Sequence, residues 1–324
     1  MAKWCIGIDL GGTFIKLVAV GGDRRPGKPL QLPTPTDKGA EGVAAQMAAG
    51  VRELISSSGL ADGDILGVGI GSPGPLKISE GVVVATPNIP GMENAPLVKM
   101  VGGRLGIPAV LENDANAAAL GEYLCGAGRG GDMVLLTLGT GVGSGIILDG
   151  RILHGRHDMG AELGHMIIVP GGELCGCGQH GCLERYCSAT YLARRTMRRL
   201  GEPGCESSLK DVMRRKGSID SKDIVEARRA GDALAVEAWE ECMNYLAIGC
   251  INICRTFDPD DIVLTGGMTK AGDDLMEPLT RHFRRLHWSI AEPQTRISIA
   301  RLGNDAGAIG AAAVAWQAFG SRSQ

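Results

Sequence analysis

Cys175, Cys177 and Cys182 fall within a span of eight residues, and His165 stands ten residues before the first of them. Three thiolates and one imidazole make a complete tetrahedral zinc set with no position left for water, so the spacing predicts a closed, structural Cys3His site. Gly176, Gly178 and Gly181 let the backbone turn tightly enough to aim three sulfurs at one point. The competing readings are free buried cysteines or a disulfide. A bridge between Cys175 and Cys177, two residues apart, would be strained, and no secretory leader is read at the N-terminus. His180 lies in the same loop and is a second candidate for the nitrogen ligand. Two carboxylates flank the loop, Glu162 before it and Glu184 after it. The ordinary place for a Glu is solvated surface, but a metal-stapled loop is rigid, and rigidity is what a binding site needs.

A chain of 324 residues has room for two domains with substantial cores. Its net charge of −3 gives no bulk attraction to nucleic acid. No run of eighteen apolar residues is present, so no membrane-spanning helix is expected. Ten cysteines without a leader point to a reducing, cytoplasmic setting. Of these, Cys242, Cys250 and Cys254 fall in an apolar helical run and read as core.

Residues 3–10 read as a buried strand, Gly11-Gly12-Thr13 as a turn, and 14–20 as a returning strand whose turn amides can approach phosphate. Asp9, at the end of the first strand, could hold a magnesium ion through water or simply cap the turn. Residues 39–58 read as a helix, 64–70 as a strand, 82–85 as a further strand, and 94–105 as a helix. Residues 69–74 fit Gly-x-Gly-x-x-Gly, but Pro73 and Pro75 deny the helix start that a dinucleotide site requires. A rigid loop lining a pocket fits better there. A strand over 108–111 leads into Glu112-Asn113-Asp114 and a helix over 115–124. Asp114 therefore stands where a strand delivers side chains to a helix start, either as an N-cap or as a general base.

Residues 132–149 repeat the opening pattern: a strand over 133–138, the turn Gly139-Thr140-Gly141, and a returning strand over 144–148. Two such units suggest two related halves, the organisation of the α/β, two-domain actin-like ATPase (RNase H-like) fold, whose paired turns clasp nucleotide phosphates across a cleft between the domains. No Gly-x-x-x-x-Gly-Lys-Ser/Thr is present, which excludes a P-loop. Helices are expected over 188–200 and 222–256, with Arg194, Arg195, Arg198 and Arg199 as a solvated basic face. A strand over 261–265 precedes Gly266-Gly267, a wall for adenine and ribose. Small residues after Leu302 open a closely packing helix. The expected division is a small α/β domain over 1–120, with the helix at about 304–324 packed back on it, and a larger domain over 121–303 carrying the zinc loop.

Glu-x-x-Gly-His followed by Cys-x-Cys-Gly-x-x-Gly-Cys-x-Glu, with Glu112-Asn-Asp-Ala-Asn-Ala-Ala and Ile8-Asp9-Leu10-Gly11-Gly12-Thr13, resembles the ROK family of sugar kinases and related repressors, most of all its glucokinase branch. The resemblance runs over essentially the whole chain. It implies that Asp114 takes the proton of a sugar 6-hydroxyl as that oxygen attacks the γ-phosphorus of ATP. It implies a sugar site of Gly74, Asn88, Asn113, Asp114, Glu162, His165 and Glu184. Asp9, Gly11, Gly12, Thr13, Lys16, Gly139, Thr140, Gly141, Gly266 and Gly267 are implied around ATP and its Mg2+. His165, Cys175, Cys177 and Cys182 are the implied zinc ligands, with His165 turning its other ring nitrogen to the sugar. Glucose is the expected hexose, N-acetylmannosamine, N-acetylglucosamine, mannose and fructose the alternatives, and polyphosphate an alternative donor. A homodimer or homotetramer is expected, without nucleic-acid or membrane partners. A repressor would need a DNA-binding helix-turn-helix ahead of the first strand, for which residues 1–3 leave no room.

Overall fold

The computed structural model describes residues 3–86 and 89–320. Asn88, expected at the sugar, lies outside the described residues. In chain order the strands are β1 (Trp4–Leu10), β2 (Phe14–Gly21), β3 (Leu30–Pro33), β4 (Ile65–Ser72), β5 (Leu76–Lys77), β6 (Val82–Val83), β7 (Ala109–Asn113), β8 (Met133–Leu138), β9 (Val142–Leu148), β10 (Arg151–Ile152), β11 (Asp261–Thr265) and β12 (Arg296–Ile299). The helices are α1 (Gly39–Ser57), α2 (Leu97–Leu105), α3 (Asp114–Cys125), α4 (Glu184–Cys187), α5 (Ala189–Leu200), α6 (Leu209–Lys216), α7 (Ser221–Arg229), α8 (Ala233–Phe257), α9 (Asp273–Leu286) and α10 (Ala306–Phe319). No helix among the described residues is long and apolar enough to cross a membrane.

The chain divides into two compact units. The first comprises Met1–Gly130, Gly145–Ala161 and Ala300–Gln324, and the second Gly131–Ser144 and Glu162–Ile299. In the first, a five-stranded sheet runs β3-β2-β1-β4-β7, antiparallel among β1, β2 and β3 and parallel from β1 through β4 to β7. Alternation along β1 divides its two faces. Ile6, Ile8 and Leu10 join Val43, Met47, Val51, Leu97 and Val101 of α1 and α2 in one core. Gly7 faces the other way, toward α10. A Cβ on Gly7 would lie 1.8 Å from the Ala308 carbonyl oxygen, and one on its cross-strand partner Gly69 would lie 1.8 Å from that of Ala311. Only glycine at these two positions lets the α10 backbone rest on the sheet. Asp9, two residues beyond Gly7, shares that face, and its carboxylate packs against Gly307 at the start of α10.

In the second unit β8, β11 and β12 run parallel, and Val134, Leu136, Ile262 and Leu264 are buried within them. The long α8 buries Trp239, Cys242, Leu246 and Cys250, with Cys254 nearly so, which places all three expected core cysteines in the interior.

Several elements depart from the sequence expectation for identifiable reasons. The run over 222–256 is two helices, because Gly231 takes φ 83° and the Asp232 side chain caps α8 by accepting from the Ala235 amide. Asn94 adopts a left-handed φ of 52° and Pro96 stands at the N-cap, so α2 begins only at Leu97. Strand β9 begins two residues before the expected 144. The basic face of α5 is not wholly solvated: Arg195 is buried and donates to the carbonyls of Arg185 at 2.7 Å and Tyr186 at 3.1 Å. The Gly-x-Gly-x-x-Gly stretch ends β4 and leads to β5 rather than to a helix.

Candidate functional site

In the first unit the turn after β1 is pinned from two sides. The Gly11 amide donates to the Phe14 carbonyl at 3.0 Å. Thr34, following β3, donates its hydroxyl to the Gly11 carbonyl at 2.7 Å and its amide to that of Thr13 at 2.9 Å. Lys16 sits directly across the ladder from Asp9. Its Nζ donates to the Asn304 carbonyl at 2.8 Å and lies 3.9 Å from Asp305, which links β2 to the approach to α10.

Asp9 and Asp114 are brought close enough to sense each other's charge. Burial, and after it the Asp114 carboxylate, push Asp9 up to about 6, while Lys16 partly offsets them. Burial also raises Asp114 above the usual carboxylate range, against the lowering pull of the Ala115 amide, 2.8 Å from its Oδ1. Two half-buried carboxylates, with Lys16 set against Asp9, leave excess negative charge, a setting that suits a divalent cation.

The expectation that Asp114 could be the N-cap of α3 is corrected by one residue. Asn113 ends β7 with extended φ and ψ, and its Oδ1 accepts from the amides of Ala115 at 2.9 Å and Asn116 at 3.2 Å. Asp114 is the first helical residue. Gly74 lies in the loop after β4, its peptide bond to Pro75 cis.

In the second unit the turn Gly139-Thr140-Gly141 is closed by the Gly139 amide on the Gly141 carbonyl at 3.0 Å. The Gly139 carbonyl in turn accepts from Ala189 at the start of α5, at 2.9 Å. Glu184, the first residue of α4, accepts from the Val142 amide at 2.9 Å through Oε2, and its Oε1 lies 3.9 Å from Cys175 Sγ. A Cβ at position 141 would stand 2.2 Å from Glu184 Oε2, so glycine there is what admits the carboxylate to the turn. Glu162 precedes a short 3-10 turn, Leu163–His165, whose first amide donates to Ser144 Oγ at 2.9 Å. Gly266 follows β11 with φ 95°, its α-carbon against the Leu138 backbone.

The ligand atoms of His165, Cys175, Cys177 and Cys182 all lie within 4.8 Å of one another. Cys177 and Cys182 sulfurs are 3.7 Å apart, and Cys175 Sγ is 3.7 Å from His165 Nδ1. A tetrahedron with metal–sulfur bonds of ~2.3 Å has edges of roughly 3.8 Å, which the two 3.7 Å separations match, so the cluster could close on a zinc ion with shifts of about an ångström. His180 stands outside it, its Nδ1 2.8 Å from the Gly172 carbonyl. The choice between the two histidines therefore falls on His165, which offers Nδ1 and keeps Nε2.

Sequence reasoning passed over two polar anchors in the first unit. Glu112, 2% exposed, accepts from the Asn113 amide, the Asn116 side chain and His154. Glu122, fully buried, accepts from the backbone amides of Ala127, Arg301 and Leu302 at 2.7–3.0 Å and so ties the end of α3 to the approach to α10. Its partners are up to 180 residues away in the chain, beyond the reach of any local pattern.

The model of the ROK family matches residues 5–318 of the chain. A glucokinase of Halalkalibacterium halodurans is 36% identical over 310 residues, covering 95% of this chain and 93% of the relative. The solved structure of a ROK hexokinase from Thermus thermophilus superposes with a TM-score of 0.83 at 32% identity, covering 98% of this chain and all of the other. A ROK family glucokinase from Streptomyces griseus, solved in complex with glucose and AMPPNP, gives 0.76 at 36% identity, covering 97% of this chain and all of the other. The α/β architecture is thus that of the actin-like ATPase fold of ROK sugar kinases, and the chain belongs to the ROK family.

Proposed function

We propose that the protein is a hexose kinase that transfers the γ-phosphoryl group of ATP to the 6-hydroxyl of glucose. The observation that carries this reading is the division of labour at the start of α3: Asn113 satisfies the helix, and Asp114 beside it is a carboxylate whose affinity for a proton is raised by burial. A base so tuned matches proton transfer near neutral pH better than a solvated aspartate does. The names of the relatives support the substrate class.

In the proposed reaction the sugar oxygen bonds to the γ-phosphorus as the bond from that phosphorus to its β-bridging oxygen breaks. ADP leaves with the electron pair, and the hydroxyl proton passes to Asp114. A loose transition state asks little of the base until late, so positioning dominates the rate. Gly74 and Asn113 would contact the sugar, the latter through its amide group because its oxygen is committed to the cap. Glu162, Glu184 and Nε2 of His165 would hold ring hydroxyls. Carboxylates in this role reject analogues lacking those hydroxyls, since each would be left buried without a partner. Gly11, Gly12, Thr13 and Lys16, and separately Gly139, Thr140, Gly141, Gly266 and Gly267, would contact ATP. Asp9 would hold Mg2+, which when bound spreads the phosphate charge. Zinc in the Cys3His set would fix His165 and the loop between Glu162 and Glu184.

The test is a coupled phosphorylation assay across glucose, mannose, fructose, N-acetylglucosamine and N-acetylmannosamine, each with ATP and with polyphosphate. Glucose with ATP is expected to give the highest kcat/KM. Absence of turnover with every pair would overturn the reading.

A further inference from the structure

His154 lies two residues after β10, on no motif, yet it meets the most buried acid near the start of α3. Its Nε2 stands 2.7 Å from Glu112 Oε2. The other oxygen of Glu112 accepts from the Asn113 amide at 2.9 Å and from Asn116 Nδ2 at 3.0 Å. Glu112 is 2% exposed and Asn116 6%, so neither has solvent as a ready alternative partner. Those two donors belong to the residue before Asp114 and the residue two after it. The Glu112 carboxylate therefore sets the register between the end of β7 and the first turn of α3.

The same histidine forms the neck of a loop. Its carbonyl accepts from the Gly160 amide at 2.9 Å, and a Cβ on Gly160 would stand 2.7 Å from that oxygen, so the two strands of the neck are in close contact. Within the loop Gly155 and Asp158 take positive φ, and the chain leaves it through Ala161 to Glu162.

We propose that His154 is a positioning residue for phosphoryl transfer: it clamps the loop neck to Glu112, and through Glu112 it fixes where Asp114 stands. The inference rests on the reading of Asp114 as the base. Hydrogen bonding to Glu112, aided by the charges of Glu112 and Asp158, raises the pKa of His154, which keeps the pair in its stronger, ionic form at higher pH than a free histidine would allow. A buried carboxylate deprived of one donor reorients toward those that remain, and a displacement of about 1 Å at a reacting group costs up to roughly 100-fold in rate.

The experiment compares His154→Ala and His154→Gln with the parent in hexose-kinase kinetics, melting temperature and amide hydrogen exchange. In His154→Ala, kcat is expected to fall about 10- to 100-fold with glucose KM within about twofold. Exchange at the Asn113 and Asn116 amides is expected to quicken. His154→Gln, which keeps a neutral donor of similar reach, is expected to recover most of both. Parent kcat in His154→Ala would overturn the proposal. So would a loss of kcat that follows a lower melting temperature and is not recovered by His154→Gln. If the parent itself turned over no hexose, the kinase reading would fall on that result alone. The exchange measurement would still decide whether His154 holds the start of α3, and unchanged exchange would overturn that link.

Discussion

Asn113 caps the helix that Asp114 begins, its Oδ1 within 2.9 Å of the Ala115 amide and 3.2 Å of the Asn116 amide. The two neighbours thus separate stability from chemistry. An Asn cap replaced by Ala costs about 0.5–2 kcal/mol, whereas a residue at the first helical position carries no such duty.

Asp114→Asn should therefore leave the fold intact and remove the proton acceptor. At neutral pH the melting temperature is expected to stay at or above that of the parent, since a buried carboxylate is replaced by a neutral amide. Glucose should still bind, while kcat falls by at least about 100-fold. Kinetics, glucose titration and thermal melting on one preparation check all three, and an active variant would refute the assignment.

Asp9 makes a prediction about pH. Its pKa rises from 3.8 to about 6 on folding, first through burial and then through Asp114. The folded state holds this proton more tightly, so the associated stability is fully present below pH 4 and is lost as pH rises through 6. In protein stripped of metal and nucleotide, Asp9→Asn should be more stable than the parent at pH 7.5 by about 1–3 kcal/mol, and nearly equal at pH 4. Urea denaturation at both pH values is the measurement. An equal gap at each would show that the effect is not electrostatic.

Glu122 is expected to matter for stability alone. Glutamine in its place must turn an amide group toward at least one of the three backbone donors it now accepts from. The expected loss is about 2–4 kcal/mol, with kcat unchanged in the folded fraction. Chemical denaturation of Glu122→Gln would reveal it, and a variant as stable as the parent would contradict the role.

The Cys3His cluster should bind about one zinc per chain. Removal by a chelator, or Cys177→Ser, is expected to lower the melting temperature and weaken glucose binding several-fold, because binding energy of a structural metal is folding energy. Elemental analysis paired with glucose titration tests this. A metal-free protein with undiminished affinity would detach the loop from the sugar.

The zinc set and the two glycine turns were legible because their chemistry is local: ligand spacing, strand alternation and turn residues are all written within a few positions. The helix cap was misread by one residue because β7 runs through Asn113, two residues beyond where its apolar run stops. Helix α9 escaped notice because Pro278, which stands inside the continuous helix, reads in the sequence as a break. Arg195 was read as solvated with its basic neighbours, since no sequence pattern shows that two backbone carbonyls await it. Glu112 and His154, 42 residues apart, become partners only through tertiary packing.

Interleaving of the units along the chain has a consequence for synthesis. The first unit begins at Met1 but takes its last segment from Ala300 onward, after the whole second unit has been made. At roughly 5–20 residues per second, a ribosome would deliver α10 about 10–60 s after the strands it covers. For that interval Gly7 and Gly69 face no helix, and a bare patch of sheet is open to chaperones or to other nascent chains. Arrival of the final helix, rather than completion of either sheet, ends the vulnerable period.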